Sequence, residues 1–120
     1  MATKDKCCTI VPYFKIASGK IEDFKALCER FVEKTNNETK CLYYGFSFNA
    51  EQAHCREGYQ DAEGVLTHLE NVGSLLEEAL KISELTCLEI HGAETELTKL
   101  REPLAHLKPT FFVLEYGFRR

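Results

Sequence analysis

The stretch from residue 61 to residue 81, DAEGVLTHLENVGSLLEEALK, decides the fold. Its apolar residues recur three and four positions apart, a spacing that places them on one side of an α-helix. They are Val65, Leu66, Leu69, Val72, Leu76, Ala79 and Leu80. Asp61 is the predicted N-cap, because its carboxylate can accept a backbone N–H of the first turn. The pattern predicts an amphipathic helix that covers an apolar surface.

His68 is a polar residue on the apolar side of this helix, three positions after Val65 and four before Val72. One interpretation is a functional side chain, because an imidazole can take or give a proton near neutral pH. The alternative is a histidine hydrogen-bonded at the rim of the core, since imidazoles are often half buried. Both interpretations stay open at the level of sequence.

Composition limits the classes of protein to consider. The chain has 120 residues, 44% apolar and 28% charged, which suits one globular domain over residues 1–120. The net charge is −4 and the lysines and arginines are scattered, so we expect no nucleic-acid partner. The apolar runs are too short to span a bilayer and the N-terminus has no apolar signal core. We therefore expect no membrane partner and a cytoplasmic location.

Six cysteines raise the question of disulfides or a metal. No C-x-x-C pair occurs, and Cys28, Cys41, Cys55 and Cys87 lie inside apolar helix or strand patterns. We expect reduced thiols that act as small core residues, and no metal site.

The regions before and after the organising helix alternate between strand and helix patterns. Strands are predicted at 8–16, 41–49, 52–59 and 83–92, and the other helix at 20–34. Only Ala50 and Glu51 separate the second and third strands, which implies an antiparallel hairpin. Pro12 predicts that the first strand is an edge or carries a bulge. The order predicts an α+β, ferredoxin-like βαββαβ sheet with two helices on one face.

The C-terminal residues extend this core of about 8–92. Residues 94–107 predict a short helix interrupted at Pro103, and residues 110–118 predict a strand at the sheet edge or on a neighbouring subunit. Helices can cover only one side of such a sheet. Because its residues are rich in apolar side chains on both faces, we expect a second copy of the chain to cover the other side.

Aromatic side chains on the strands are candidates for binding a flat aromatic substrate by stacking. On the second strand Leu42, Tyr44, Phe46 and Phe48 share one face, and its other face is largely small or polar. The stacking candidates are Tyr13, Phe14, Tyr44, Phe46 and Phe48. The alternative is that these aromatic residues only fill the core.

Polar strand residues supply candidates for binding a substrate oxygen. His54 and Arg56 share a face of the third strand, opposite Glu57, and could bind an anionic or quinone oxygen. The alternative, which the pattern favours, is that they are ordinary surface residues. Glu89 and His91 share a face of the fourth strand, where His91 would meet a pocket, a dimer interface or water. A register error of one residue would exchange all these assignments.

The run from YQDAEGVLTHLENV (59–72) to LEIHG (88–92) resembles the antibiotic biosynthesis monooxygenase (ABM) family of dimeric α+β barrels. The resemblance covers residues 8–92 and implies a homodimer whose sheets pack face to face, with a pocket between each sheet and its helices. His68 matches the family's helix histidine. Members of this family have unrelated activities. The haem-degrading members depend on a tryptophan, and this sequence has none, so haem is not expected.

The resemblance and the residues together give two hypotheses for function. In the first, the protein is a monooxygenase without an added cofactor, in which a small aromatic or quinol substrate loses a proton to His68 and the anion reacts with dioxygen. No Gly-rich phosphate loop or nucleotide fingerprint suggests a cofactor. In the second, the protein is a non-catalytic dimeric binding or stress-associated protein that holds a small apolar ligand.

Overall fold

The computed structural model describes residues 2–120 and has the predicted order of elements. They are β1 (Cys8–Ile16), α1 (Ile21–Thr35), β2 (Cys41–Asn49), β3 (Gln52–Tyr59), α2 (Ala62–Ala79), β4 (Ser83–Gly92), α3 (Glu94–Leu100), a 3₁₀ turn (Ala105–Leu107) and β5 (Thr110–Val113). The sheet order is β2-β3-β1-β4-β5. Its first four strands are antiparallel, which confirms the ferredoxin-like prediction.

The fifth strand lies at the edge of the chain's own sheet, parallel to β4. This confirms the first alternative for the C-terminal segment, a strand at the sheet edge. The strand ends at Val113 and not near residue 118 as predicted. Its partner β4 ends at Gly92, whose carbonyl accepts a hydrogen bond of 2.7 Å from the Leu114 backbone N–H. Beyond that point β4 offers no backbone to pair with.

Pro12 lies in the middle of the sheet, because β1 is flanked by β3 and β4. The alternative of an edge strand is therefore wrong. The register with β4 shifts between Tyr13 and Phe14, immediately after the proline. A local irregularity thus accommodates a residue that cannot donate a hydrogen bond to the sheet.

The two long helices cover one face of the sheet and create two adjoining clusters of buried side chains. One cluster packs α1 and the second half of α2 on the sheet, with Phe14, Phe24, Phe31, Val72 and Leu75 among its members. The other packs the start of α2, α3 and the residues after α3 on β1 and β4. Asp61 is the N-cap of α2, as predicted: its Oδ1 accepts the Gly64 N–H at 2.9 Å.

The cysteines are free thiols, but one of them is not in the core. Cys28 and Cys55 are buried and Cys41 is half-buried. Cys87 is exposed, contrary to expectation, because it pairs with Tyr13, which points away from the helices. Within residues 2–120, no group of three or more His, Cys, Asp or Glu side chains is arranged so that it could hold a metal ion. None of the helices described combines the length and the hydropathy needed to cross a bilayer.

The sheet face opposite the helices is left uncovered in the single chain. Tyr13 on β1 is 40% exposed and Phe112 on β5 is 45% exposed. The segment after β5 is also exposed, with Tyr116 at 73% and Phe118 at 79%. The uncovered face therefore presents the aromatic rings of Tyr13 and Phe112 to its surroundings.

Candidate functional site

A cavity of about 60 Å³ lies between the sheet and the helices, where the two buried clusters meet. Most of its wall is aromatic or aliphatic, with Phe14, Phe46, Val72 and Leu104 among the contributors. Its polar contributors are Tyr44, Cys55, Glu57 and His68. The few polar groups therefore act in an environment that excludes water and strengthens electrostatic interactions.

His68 lies in the cavity wall and is only 4% exposed. Its Nδ1 is 3.0 Å from Glu38 Oε2 and its Nε2 is 3.5 Å from Glu57 Oε1. The ring also packs between two tyrosines, with centroid distances of 5.2 Å to Tyr44 and 5.1 Å to Tyr59. The imidazole is thus fixed in orientation, with one carboxyl group on each side.

Glu57 lies on β3, on the same side as Cys55 and Tyr59, and faces the helices. The Tyr59 hydroxyl donates a hydrogen bond of 2.6 Å to Glu57 Oε1. Burial raises the pKa of the Glu57 carboxyl, while the neighbouring His68 and Tyr59 act in the opposite direction. A carboxyl group in this position holds its proton to higher pH than an exposed glutamate does.

Glu38 lies in the loop between α1 and β2, and its side chain is 6% exposed. Together with Glu57 and His68 it forms a polar row. Asn71 Nδ2 donates to Glu38 Oε2 at 2.8 Å and to the Lys34 carbonyl at 3.1 Å. A carboxylate can only accept hydrogen bonds, so an ionised Glu38 requires the proton on His68 Nδ1. Glu38 and Asn71 therefore select the tautomer that leaves His68 Nε2 free to accept a proton on the Glu57 side.

The other ionisable groups beside the cavity stay neutral. Burial raises the pKa of the Tyr44 phenol and of the Cys55 thiol above their ordinary values. The same cause raises the pKa of Tyr59. The Thr35 hydroxyl, beside Tyr44 at the end of α1, is buried and has no hydrogen-bond partner among the described residues. Glu57 and His68 are thus the two remaining ionisable side chains in the cavity wall.

The structure divides the candidates named from the sequence into two groups. Phe14, Tyr44, Phe46 and His68 line the cavity. Phe48 is on the same side of the sheet but packs edge-on against Phe24 and borders a surface cleft beside α1 instead. Glu57 also lines the cavity, although the sequence pattern only places it opposite His54 and Arg56. It is the one charged residue on the buried side of its strand, which is a signal that sequence can supply. Glu38, 30 residues before His68, gave no such signal because it lies in a polar connection.

The remaining candidates lie on the uncovered face, because side chains alternate along a strand. The Tyr13 and His54 rings contact each other at 4.7 Å, and Arg56 lies over the Tyr43 ring at 5.2 Å. His91 Nε2 is 3.0 Å from Glu89 Oε1, and its ring stacks on Phe112 at 4.8 Å. Tyr13, His54, Arg56 and His91 are therefore separated from the cavity by the sheet.

Leucines from the segment after α3 close the cavity on its outer side. Leu104 and Leu107 line the cavity and also a surface groove of about 450 Å³ that runs along α2. Leu69 and Leu76 of α2 are shared between the two spaces in the same way. A ligand larger than a few atoms needs more room than this cavity of about 60 Å³ provides, so we expect these side chains to move to admit it.

Comparison with known proteins places this fold in a family. No protein-family model matches the chain, and no curated protein matches it. Among solved structures, MupZ from Pseudomonas fluorescens is 49% identical with a TM-score of 0.95, over 100% of this chain and 94% of that one. A putative antibiotic biosynthesis monooxygenase from Nitrosomonas europaea is 14% identical with a TM-score of 0.69, over 78% and 96% of the two chains. A Bacteroides thetaiotaomicron protein described as a possible oxidoreductase is 14% identical with a TM-score of 0.65, over 72% and 96%.

The two distant likenesses show the fold alone, whereas the likeness to MupZ extends over the whole chain at high identity. The chain belongs to the same family as MupZ and has the fold of the antibiotic biosynthesis monooxygenase proteins.

Proposed function

We propose that the protein is an enzyme that performs acid–base chemistry without an added cofactor, on a small and largely apolar substrate bound beside His68. One observation carries this proposal: His68 Nε2 lies 3.5 Å from Glu57 Oε1 in the wall of an otherwise apolar cavity. Burying two ionisable groups costs stability unless they are paired, and enzymes use such pairs to tune proton affinity. A purely structural core would be more stable with apolar residues at both positions.

The two side chains have complementary roles in the proposed chemistry. His68, with its proton held on Nδ1 by Glu38, accepts a substrate proton at Nε2. Glu57, whose pKa is raised by burial, returns a proton to an oxygen of the product. The surrounding apolar wall excludes water and keeps the reacting anion from being solvated.

The reaction that we propose for this pair is the oxygenation of a quinol-type aromatic substrate. Phe14, Tyr44 and Phe46 offer aromatic surface against which a flat ring can pack. Deprotonation gives an electron-rich anion that reduces dioxygen. One oxygen atom adds to the ring, the other leaves as water, and the quinol becomes a hydroxyquinone. The description of the Nitrosomonas europaea neighbour as a putative monooxygenase supports the same class of reaction.

A panel of hydroquinones tests the proposal, with oxygen uptake and product mass as the readouts. We expect uptake with at least one member and a product heavier by one oxygen atom and lighter by two hydrogen atoms. The assay contains no flavin, nicotinamide, haem or added metal. A flat trace for every member, at concentrations that saturate binding, would contradict the proposed oxygenation.

A second candidate function is the binding of a small apolar ligand without reaction. The apolar character of the cavity wall favours it, because apolar cavities hold apolar molecules without specific polar contacts. The same panel separates the two functions. Ligand binding measured by a rise in thermal midpoint, together with no oxygen uptake and no change in ligand mass, would support the binding protein.

We also propose that the functional unit is a homodimer formed through the uncovered sheet faces. Tyr13 and Phe112 expose aromatic surface there, and the exposed segment with Tyr116 and Phe118 lies at the same end of the chain as β5. A second copy can cover this surface by two-fold symmetry, since identical patches then meet.

A further inference from the structure

A row of polar side chains leads from the cavity to the protein surface. Glu57 lines the cavity, His68 lies 3.5 Å from it, and Glu38 lies 3.0 Å from the other ring nitrogen of His68. Glu38 in turn borders two surface clefts, one shared with Thr35 and Tyr44 and one shared with residues of α2. The row is therefore continuous from the buried carboxyl to positions that solvent reaches.

This row lies on a different side of α2 from the groove that leads to the cavity. Leu69 and Leu76 border the groove, whereas Thr67 and Asn71 border a cleft next to Glu38. Residues 69 and 76 are separated from 67 and 71 by more than a quarter turn of the helix. A substrate that fills the cavity from the groove would thus leave Glu38 in contact with solvent.

The structure assigns Glu38 and His68 the role of a proton relay between Glu57 and solvent, an inference that rests on the acid–base function proposed above. In the outward direction Nε2 takes a proton from the cavity, and Nδ1 gives its proton to Glu38. Glu38 then releases that proton to the cleft. In the inward direction the same steps run in reverse and deliver a proton to Glu57. A reaction that removes one proton from the substrate and returns one uses each direction once, which restores the starting tautomer.

The other ionisable groups that face His68 do not offer a competing path. They are Tyr44 on β2 and Tyr59 on β3, and burial raises the pKa of both phenols. Burial likewise raises the pKa of the nearby Cys41 thiol to about 11. These groups keep their protons at neutral pH, so protons leave by way of Glu38. Glu38 acts through His68 and is a positioning residue in this scheme.

The relay can be tested without a substrate by NMR of protein labelled with ¹⁵N-histidine. The measured quantity is the rate at which the His68 Nδ1 proton exchanges with water. In Glu38→Gln the amide oxygen still accepts the hydrogen bond but cannot take the proton, so we expect exchange to slow by about tenfold or more. Glu70→Gln is the matched control, because Glu70 borders the same cleft without contacting His68, and there we expect no change.

Chemical rescue of proton exchange at His68 distinguishes a proton relay from a purely structural role of Glu38. In Glu38→Ala the emptied cleft admits formate, which we expect to restore exchange at His68 to within about threefold of the wild-type rate. Thr35 borders the other cleft next to Glu38, and its hydroxyl, which has no hydrogen-bond partner among residues 2–120, can hydrogen-bond the added carboxylate. Glu38→Asp, which keeps a carboxylate, is the substitute variant if Glu38→Gln or Glu38→Ala does not give a wild-type ¹H–¹⁵N spectrum. In Glu38→Asp the His68 Nδ1 proton should exchange faster than in either of those variants.

The outcomes separate this inference from the proposed function. Unchanged exchange in Glu38→Gln, equal slowing in Glu70→Gln, or no effect of formate on Glu38→Ala would each overturn the relay. An absence of turnover with every hydroquinone would leave these exchange rates unaffected and would bear on the proposed reaction alone.

Discussion

Glu57 couples the stability of the fold to pH. Its pKa is raised by burial, so over the range between the unfolded and the folded pKa the unfolded chain is ionised while the folded chain still holds the proton. Stability is therefore fully present below the unfolded pKa and is lost as the pH rises through the folded pKa. Each unit of the shift costs about 1.4 kcal/mol at pH values above both.

Replacing Glu57 by glutamine removes this titration while keeping an acceptor for the Tyr59 hydroxyl. We expect Glu57→Gln to increase the free energy of unfolding at pH 8 by about 1 kcal/mol or more, and to have a much smaller effect near pH 4. Urea unfolding at both pH values measures the difference. A gain of equal size at the two pH values would show that Glu57 does not titrate with folding.

The polar row also shows which residues of the site can be found from sequence. His68 is predictable because a polar residue interrupts an apolar helical stripe. Glu57 is predictable in principle, as a charged residue between Cys55 and Tyr59 on a buried strand face. Glu38 is not predictable, because a loop residue acquires its role only when folding brings it to within 3.0 Å of His68.

Helix α2 positions His68, and its first turn is held by Asp61. The Asp61 carboxylate accepts the Gly64 N–H at 2.9 Å and also pairs with Lys40 at 2.8 Å. We expect Asp61→Ala to lower the free energy of unfolding by about 1 kcal/mol, because it removes the N-cap. Asp61→Asn keeps the cap and loses the ion pair, so it should cost about half as much or less. Equal losses in denaturant unfolding would assign the effect to Lys40 and not to the cap.

The elements themselves follow closely from sequence periodicity, and the exceptions have local causes. The helix predicted at 61–81 is found at Ala62–Ala79, and the predicted hairpin joins β2 and β3. Periodicity overestimates the length of β5, because a strand extends only as far as its neighbour has backbone groups to pair with it. Periodicity also does not show which of the two alternating sets of side chains on a strand faces the helices. For this reason Tyr13 and His54 are among the residues predicted for the pocket.

The whole molecule has one covered and one uncovered sheet face, and we expect a second copy on the latter. Sedimentation should give twice the chain mass of 13.7 kDa at micromolar concentration. Tyr13→Asp places a charge on the exposed surface of β1 and should produce a monomer, because an unpaired charge is costly in an interface. Lys81→Asp, an exposed change beside the end of α2, should remain dimeric. A wild-type monomer would contradict the proposed dimer.

The central claim is that His68 exchanges protons with a substrate inside the cavity. The most direct measurement is the turnover number of His68→Gln with a hydroquinone that the wild-type protein oxygenates. Glu51→Gln, an exposed change in the turn between β2 and β3, serves as the control. The account predicts a fall of about 100-fold or more in kcat for His68→Gln, with binding retained and Glu51→Gln unaffected. A kcat for His68→Gln within a factor of two of the wild-type value would contradict it.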